Sequence, residues 1–485
     1  MSHLTVIDPH VQGCKITGVG DLLNLDFVGS QKQRRSAGGP PWTDDAGETR
    51  RMDGKRSRPR RRDGAWRRAL AGAGGSLQFD LTCESLAWIA VALGLILRVW
   101  EYLEFRFLYI DEEALLSNLV GRAVFDFHQI LDQDQMAPPG FLVIERLLVR
   151  LPLDVRASGR LLPLCCGLAS VFLMHQVARR FLDRRAVPMA VGLFALGDHL
   201  LYYSAEIKQY SCDLMMATAA LCLAAGPWAG REGKARLWPL AVFGLVAPWF
   251  SFPVVFLLAG TGIYLLVSAA KARQWRACAQ IALIGLGWLL SFTGCFLLSR
   301  SILSKRDFLW VWWNFAFLPF PPRSLADLSH LAETLANVFI NPASLLTPLS
   351  LPVTAVLASS LAVIGCLSLG RRWPGGLFLL IAPLLFALLA SGLRQYPFHG
   401  RLLLFLVPTF LLLPCEGAAA IGRRTSWLVT LGLAALLIYG QASDVFWHKV
   451  VQSRYRPFDS HGDIKNDLLD FLELQRKGQM PPFSR

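Results

Sequence analysis

Three consecutive carboxyl groups follow the first long apolar segment of this sequence. Asp111, Glu112 and Glu113 come directly after Tyr109 and Ile110. Partial loss of hydration at a membrane boundary suits such acids to act as a general base and as a substrate holder, so Asp111 and Glu112 form the candidate catalytic pair. Acids also occupy the first turn of solvated helices, where they offset the helix dipole. The residues alone leave both interpretations open.

Two more polar segments, residues 202–210 and 394–401, interrupt later apolar runs. The first carries Glu206 and Lys208. An interfacial aromatic belt with a snorkelling lysine explains the tyrosines around them but explains the acid less well. The second ends at Arg401, and an arginine at that place calls for an anionic partner. A lipid phosphate is such a partner, because a guanidinium binds phosphate oxygens in a fixed fork.

Aromatic side chains accompany these polar segments. His399 is a candidate ligand or proton carrier, although a single histidine is commonly neither. A longer segment before them carries Trp310, Trp312, Trp313, Phe315 and Phe317. Most of these aromatics fit an interfacial belt, and a wall for an apolar or sugar ligand is the alternative.

The composition predicts the scaffold that must position these residues. Hydrophobic residues make up 53% of the chain and charged residues 17%, whereas soluble proteins carry about 25% charged residues. Apolar runs of roughly 20 residues, enough to cross about 30 Å of hydrocarbon as a helix, recur along the chain. We therefore predict an all-α integral membrane protein with about 11 spans. The predicted spans are 85–104, 159–177, 186–203, 211–228, 238–249, 252–270, 278–299, 345–369, 375–393, 402–421 and 426–442. A piece at 141–151 is too short to span and is predicted to lie at the membrane surface.

Basic residues predict which loops share a side. Short basic loops alternate with the polar segments, at residues 179–185, 231–236, 271–276, 371–372 and 423–424. The positive-inside rule then puts the N-terminus in the cytoplasm and the three polar segments outside it. The predicted domains are a disordered basic cytoplasmic extension (1–80), a polytopic membrane domain (81–445) and a short extracytoplasmic tail (446–485).

Charge and cysteine content exclude other classes. The net charge of +14 owes much to the basic block at residues 50–68, which fits a membrane-adjacent anchor better than nucleic-acid binding. The ten cysteines show no paired spacing, so neither a disulfide framework nor a zinc site is indicated. No ligand spacing demands a metal, and a divalent ion is left open as a cofactor.

Several motifs resemble the GT-C superfamily of membrane glycosyltransferases, specifically family 39-like proteins such as the protein O-mannosyltransferases and the lipid A aminoarabinose transferases. The resemblance covers about residues 85–445 and rests on short motifs in a fixed order. They are Tyr-Ile-Asp-Glu-Glu-Ala at 109–114, Ala-Pro-Pro-Gly-Phe at 137–141, Arg-Leu-Leu-Pro-Leu at 160–164, Tyr-Tyr-Ser-Ala-Glu-Ile-Lys-Gln-Tyr at 202–210 and Tyr-Pro-Phe-His-Gly-Arg at 396–401.

The resemblance implies a GT-C bundle with a catalytic first extracytoplasmic loop in a cell (inner) membrane. It further implies sugar transfer, with inversion, from a polyprenyl-phosphate donor to a hydroxyl on a lipid, glycan or protein. Asp111 would deprotonate the acceptor and Glu112 would hold acceptor or base. Lys208, Arg401 and Tyr396 would meet the phosphate, and Glu206 matches an acid common in the second outer loop.

Two departures and one alternative remain. Many relatives have a histidine before the double proline, where this chain has Ala137, and some carry a large C-terminal domain that this chain's tail does not match. A polytopic transporter or lipid-linked sugar flippase without transferase activity is the competing function. Arg98 within the first span and the proline-containing break at 249–253 favour it, whereas the absence of visible duplicated halves favours the enzyme.

Overall fold

The computed structural model describes residues 63–104, 106, 108–127, 129–226, 237–299, 304, 310–311 and 313–447, with side chains from residue 82 onward. Within this part of the chain the regular structure is helical, without strands. The α-helices are α1 (Asp63–Leu103), α2 (Ile110–Val120), α3 (Pro139–Leu148), α4 (Val155–Phe181), α5 (Val187–Leu196), α6 (Asp198–Tyr203), α7 (Tyr210–Ala224), α8 (Trp238–Val246), α9 (Val254–Lys271), α10 (Trp275–Leu298), α11 (Leu325–Asn337), α12 (Leu351–Arg372), α13 (Pro374–Gly392), α14 (Val407–Arg424) and α15 (Trp427–Phe446). Short 3₁₀ turns precede α5 (Arg184–Ala186), α9 (Ala247–Trp249) and α14 (Gly400–Leu406), and another lies at Asn314–Ala316.

Eight helices in the described residues are long and apolar enough to cross a membrane. They are Thr82–Leu103, Val155–Phe181, Val254–Lys271, Trp275–Leu298, Leu351–Arg372, Pro374–Gly392, Gly400–Arg424 and Trp427–Phe446. The predicted multi-pass helical architecture is confirmed, whereas the count of about eleven is not. Each of these eight helices corresponds to one predicted span.

The other three predicted spans are short or broken. The span at 186–203 divides into α5 and α6 at Gly197, whose extended backbone (ψ 114°) interrupts the helix. The span at 211–228 is the 15-residue α7, and the span at 238–249 is α8 followed by the turn Ala247–Trp249. Apolar runs predicted these three spans, but Gly197 ends α5 and Pro248 lies in the turn that follows α8, so neither helix reaches a membrane length.

The helix Gly400–Arg424 forms the centre of the bundle, because 94% of its apolar window is buried. Glycines allow α12 to approach it closely. A Cβ on Gly365 would lie 1.9 Å from the Leu413 carbonyl oxygen, and a Cβ on Gly417 would lie 1.9 Å from that of Leu361. Small residues at helix contacts are the usual means of close packing between membrane helices.

A smaller apolar cluster supports the first acidic loop. Buried leucines of α2 pack there with Phe141 of α3 and residues of α4 and α7. The predicted surface piece at 141–151 is the helix α3, and its Phe141 and Glu145 are fully buried. Gly140 lies against the turn Ala247–Trp249, where a Cβ would be 2.6 Å from the Trp249 carbonyl oxygen. The helix α3 therefore packs on other helices, which was not predicted.

Other sequence predictions fall outside the described residues. The N-terminal extension at 1–80 lies outside them as far as residue 62, and the helix α1 begins at Asp63. Residues 448–485 of the predicted tail, the basic loop at 231–236 and the side chain of Trp312 also lie outside them. The predicted domain boundaries stay predictions.

Candidate active site

Glu112 is held in the interior at the first turn of α2. Its side chain is fully buried and accepts hydrogen bonds from Arg160 of α4 at 3.2 Å. The backbone N–H of Ile207 donates to it at 3.0 Å and that of Tyr109 at 3.1 Å. Arg106 lies 3.7 Å away as a second cation. Glu112 thus ties α2 to α4 and to the segment before α7, and its charge is compensated.

Asp111, the residue before Glu112, points in a different direction around α2, and its side chain is partly exposed. Its Oδ2 lies 2.6 Å from the guanidinium of Arg401, with side-chain exposures of 29% and 27%. Arg401 is at the start of the turn Gly400–Leu406, and its guanidinium also stands over the ring of Tyr210 at 5.5 Å. The first and third polar segments of the sequence therefore meet in one ion pair.

Glu206 and Lys208 of the second polar segment lie beside this pair. Burial raises the pKa of Glu206 to about 7, with Glu112 adding to the effect and Arg106 and Arg401 opposing it. Its Oε2 has no hydrogen-bond partner among the described residues. Lys208 is buried, its ammonium donates to the Gln135 side chain, and burial lowers its pKa against the opposing fields of Asp111 and Glu206.

Two pockets open at this place and share two residues. The first, the aromatic pocket, has a volume of about 460 Å³ and is lined by Tyr203, Trp313, Phe315, Asn341, His399, Gly400 and Arg401. The second, the polar pocket, has a volume of about 310 Å³ and is lined by Tyr109, Asp198, His199, Tyr202, Tyr203, Glu206 and Arg401. Tyr203 and Arg401 belong to both, so they form the border between the pockets.

The remaining two predicted site residues separate. His399 lines the aromatic pocket and contacts the rings of Phe315 at 5.2 Å and Trp313 at 6.3 Å. Burial, with the Arg401 charge adding to it, lowers the pKa of His399. Tyr396 points inward instead: its hydroxyl donates to the Leu402 carbonyl oxygen at 2.7 Å, and it lines neither pocket.

Four residues of the site were not assigned a role from the sequence. Arg106 donates to the Ala205 carbonyl oxygen at 3.1 Å and lies 3.8 Å from the ring centre of Tyr202. Arg160 was noted only as part of a motif, and Asp198 and His199 were not noted. Arginines in or beside apolar segments are a signal for a buried carboxylate. Asp198 and His199 were missed, although ionisable residues inside a predicted span are also a signal for a site.

The two features that favoured a transporter have local structural partners. Arg98 is fully buried. It donates to the carbonyl oxygen of Gly94 in its own helix at 3.0 Å and to that of Phe194, near the end of α5, at 3.2 Å. A cation there satisfies carbonyl groups that the helix end leaves without partners. The break near 249–253 packs against the start of α3, where Gly140 lies against Trp249. The Trp249 indole N–H also donates to the Ser291 hydroxyl at 3.0 Å.

A second charged cluster lies at the opposite ends of the same long helices. Glu416 of α14 is fully buried and accepts from Arg423 at 2.9 Å and from Arg372 at 3.2 Å. Arg423 also lies 3.4 Å from Asp183. Arg401 and Glu416 are roughly 25 Å apart along the helix, at a rise of about 2.0 Å per residue in the 3₁₀ turn and 1.5 Å in α14. Three of the predicted basic loops thus share one end of the bundle and the three polar segments share the other.

The described residues contain no group of three or more His, Cys, Asp or Glu side chains that could hold a metal ion. The site therefore consists of carboxylates, basic side chains and aromatic rings.

No family model and no curated protein sequence matches the chain. Among solved structures, the chain resembles two crystal structures of the Archaeoglobus fulgidus oligosaccharyltransferase. The complex with Zn and sulfate aligns at a TM-score of 0.40 with 14% identity over 73% of this chain and 52% of that chain. The form tethered through a disulfide bond to an acceptor peptide with the NVT sequon aligns at 0.40 with 14% identity over 74% and 54%. The chain spans about half the length of these structures, and likenesses of this size assign it neither a family nor an activity.

Proposed function

We propose that this protein is a membrane glycosyltransferase that moves a sugar from a polyprenyl-phosphate donor to a hydroxyl acceptor, with inversion. The observation that carries the proposal is the contact between Asp111 and Arg401, because Arg401 lines both pockets. A carboxylate in contact with a guanidinium that lies between two pockets can supply a base for one substrate and a phosphate ligand for the other.

The reaction is a single displacement at the anomeric carbon. The acceptor oxygen forms a bond to that carbon while its proton passes to the carboxylate of Asp111. The bond between the carbon and the phosphate oxygen breaks, and the polyprenyl phosphate leaves with the electron pair. Arg401 stabilises the negative charge that grows on the phosphate, as donors placed at developing charge do in general.

Inversion requires the base and the leaving group to lie on opposite faces of the sugar. One guanidinium cannot stay 2.6 Å from Asp111 and also hold a phosphate beyond the sugar ring. We therefore expect Arg401 to move away from Asp111 when it takes the phosphate. The same movement would expose the carboxylate to the acceptor hydroxyl.

The other predicted residues act around this pair. Lys208 contributes a positive field beside Asp111 and Glu206, and His399 contributes a wall of the aromatic pocket. Glu112 acts as a positioning residue, because its carboxylate is used by Arg160 and two backbone N–H groups. Tyr396 supports the fold of the 394–401 segment, because its hydroxyl donates a hydrogen bond to the Leu402 carbonyl oxygen. We therefore propose no phosphate contact for Tyr396.

The cellular setting belongs to the same proposal. The three polar segments lie at one end of the helices and the charged cluster of Glu416, Arg372 and Arg423 lies at the other. Basic loops favour the cytoplasmic side, so the active site would face the extracytoplasmic side of a cell membrane. The partners would be a polyprenyl-phosphate sugar and a glycan, lipid or protein acceptor.

The test is sugar transfer from a radiolabelled polyprenyl-phosphate donor pool by the full chain in membranes. Asp111→Asn should lower kcat by about 10²- to 10⁴-fold, the usual contribution of a general base, and keep donor binding. The matched control is Glu113→Gln, an exposed acid in the same helical turn, which should keep full activity.

Either of two results would overturn the proposal. Full transfer by Asp111→Asn would remove this residue as the base. Wild-type membranes that transfer no sugar from any donor in a broad set would remove the transferase activity and favour the flippase.

A further inference from the structure

The polar pocket contains a buried oxygen atom that the described part of the chain leaves without a hydrogen-bond partner. Glu206 is 1% exposed, lines this pocket, and has no hydrogen-bond partner at Oε2 among the described residues. A buried polar atom without a hydrogen bond costs free energy, which a bound donor group recovers. Asp198 adds a second carboxylate to the same lining. The pocket is therefore built for a ligand that brings several hydrogen-bond donors.

The aromatic side chains of the polar pocket suit the same kind of ligand. Tyr109, Tyr202 and Tyr203 contribute rings and hydroxyl groups to the lining. Aromatic faces cover the apolar faces of a ligand, while carboxylate oxygens accept from its polar edge. Burial raises the pKa of Glu206 to about 7, so near neutral pH about half of the molecules carry an ionised carboxylate that only accepts, and the rest carry a carboxyl group that accepts and also donates.

The segment that carries the proposed base Asp111 contributes a residue to the polar pocket and none to the aromatic pocket. Tyr109, which directly precedes α2, lines the polar pocket, and α2 begins with the turn that carries Asp111. No residue of that segment is among those that line the aromatic pocket. Because the base must reach the acceptor hydroxyl, the acceptor belongs in the polar pocket.

The aromatic pocket fits the other substrate. Trp313, Phe315 and His399 form a cluster of rings with Arg401 at one edge. Rings that can stack on a sugar, beside a guanidinium that can bind phosphate, match the two parts of a sugar phosphate. The border residue Arg401 would then lie between donor phosphate and acceptor hydroxyl.

We infer that the polar pocket is the acceptor site and that it takes a carbohydrate or other polyol, read by Glu206. The inference rests on the proposed function and narrows its acceptor class. A simple alcohol, or a serine or threonine side chain, has one hydroxyl group, and that group must face Asp111. A polyol has further hydroxyl groups that can donate to Glu206 and Asp198. One hydroxyl reacts while the others bind.

Transfer kinetics of the full chain in proteoliposomes test this directly. The donor is the polyprenyl-phosphate sugar, and the acceptors are methyl hexopyranosides, myo-inositol, a threonine-containing hexapeptide and 1-octanol. Wild type should prefer the polyols. Glu206→Gln should raise the acceptor KM about 10-fold or more, the effect of weakening a hydrogen bond to a charged group, while Glu206→Asp restores part of it. Donor KM should stay at the wild-type value.

A variant of the aromatic pocket is the matched control. Phe315 is 62% exposed, so Phe315→Ala should leave folding intact, raise the donor KM and spare the acceptor KM. An unchanged acceptor KM in Glu206→Gln, or better transfer to the peptide or to octanol than to the polyols, would overturn the inference.

Equilibrium binding separates this inference from the proposed function. Binding of radiolabelled methyl hexopyranosides and myo-inositol is measured without donor, in wild type and Glu206→Gln. Glu206-dependent binding without any sugar transfer would keep the polyol site and remove the transferase. Sugar transfer whose acceptor binding ignores Glu206 would keep the transferase and remove the polyol site.

Discussion

Glu112→Gln should destabilise the protein far more than the same change at either neighbouring acid. Glu112 is fully buried against Arg160, which is itself 2% exposed. The change removes a negative charge and keeps the shape, so it removes the ion pair with the buried Arg160 guanidinium and leaves the hydrogen bond from Arg160 to the Arg106 carbonyl oxygen in place. Breaking a buried ion pair by removing one partner costs about 3–5 kcal/mol. The nearby cation Arg106, now less compensated, adds to the penalty.

The neighbours provide the scale for this effect. Asp111 and Arg401 are both more than one-quarter exposed, so water screens the charge that Asp111→Asn leaves behind, and the expected cost is about 0–1 kcal/mol. Glu113 is exposed, and Glu113→Gln should change stability by less than about 0.5 kcal/mol. Three identical charge removals on consecutive residues should therefore give one large and two small effects.

Equilibrium unfolding of the detergent-solubilised protein, followed by tryptophan fluorescence, measures the three changes. Transfer assays in the same preparations separate the roles. Asp111→Asn should lose kcat at wild-type stability, and Glu112→Gln should lose stability together with activity. Glu112→Asp should recover part of both, because it restores the charge. The reasoning would be refuted if Glu112→Gln unfolded at the same denaturant concentration as Glu113→Gln.

Two further predictions concern the other buried acids. Burial raises the pKa of Glu206 from 4.5 to about 7. Between pH 4.5 and pH 7 the folded state therefore keeps a proton on Glu206 that the unfolded state has released. The stability that this bound proton contributes is lost as the pH rises from 4.5 to 7. Relative to Glu206→Gln, wild type should lose about 3 kcal/mol between pH 4 and pH 8, and unfolding curves that keep the same separation at both pH values would contradict this. The charged groups that act on Glu206 are Glu112, Arg106, Arg401 and Lys208. Glu416→Ala should lower stability by about 1–3 kcal/mol, because its arginine partners are partly exposed. It should leave donor and acceptor KM unchanged, since Glu416 lies roughly 25 Å along the helix from Arg401, and a raised KM would show that the two ends of the bundle are coupled.

Local sequence patterns predicted which segments are helical better than they predicted where each helix begins and ends. Length and hydropathy were enough for the eight long helices, because a helix in lipid satisfies its own backbone groups. They failed at 186–203, where Gly197 divides the run and Arg98, from a helix almost a hundred residues earlier, donates to the carbonyl groups at the end of α5. That contact is tertiary, and no pattern within the segment could contain it.

The site was predicted as a set of residues but not as a set of contacts. Asp111, Glu206, Lys208 and Arg401 come together as the motifs suggested. Tyr396 lies in the same short motif as Arg401, yet its hydroxyl donates to the backbone of Leu402. Motif membership indicates which segment approaches a site, whereas the direction of each side chain depends on packing that the segment alone does not specify.

The burial of Glu112 is the exception, because its signal was present in the sequence. Successive residues of a helix point about 100° apart, so three consecutive acids cannot share one environment. Glu112 lies three, four and seven residues before Leu115, Leu116 and Leu119, the spacing of one helical face. All three leucines are buried. A charged residue that continues an apolar stripe needs a buried counter-ion, and Arg160 supplies it. Asp111 lies about 100° away from Glu112 around the helix, and this rotation leaves its carboxylate partly exposed and in contact with Arg401, the residue that lines both pockets.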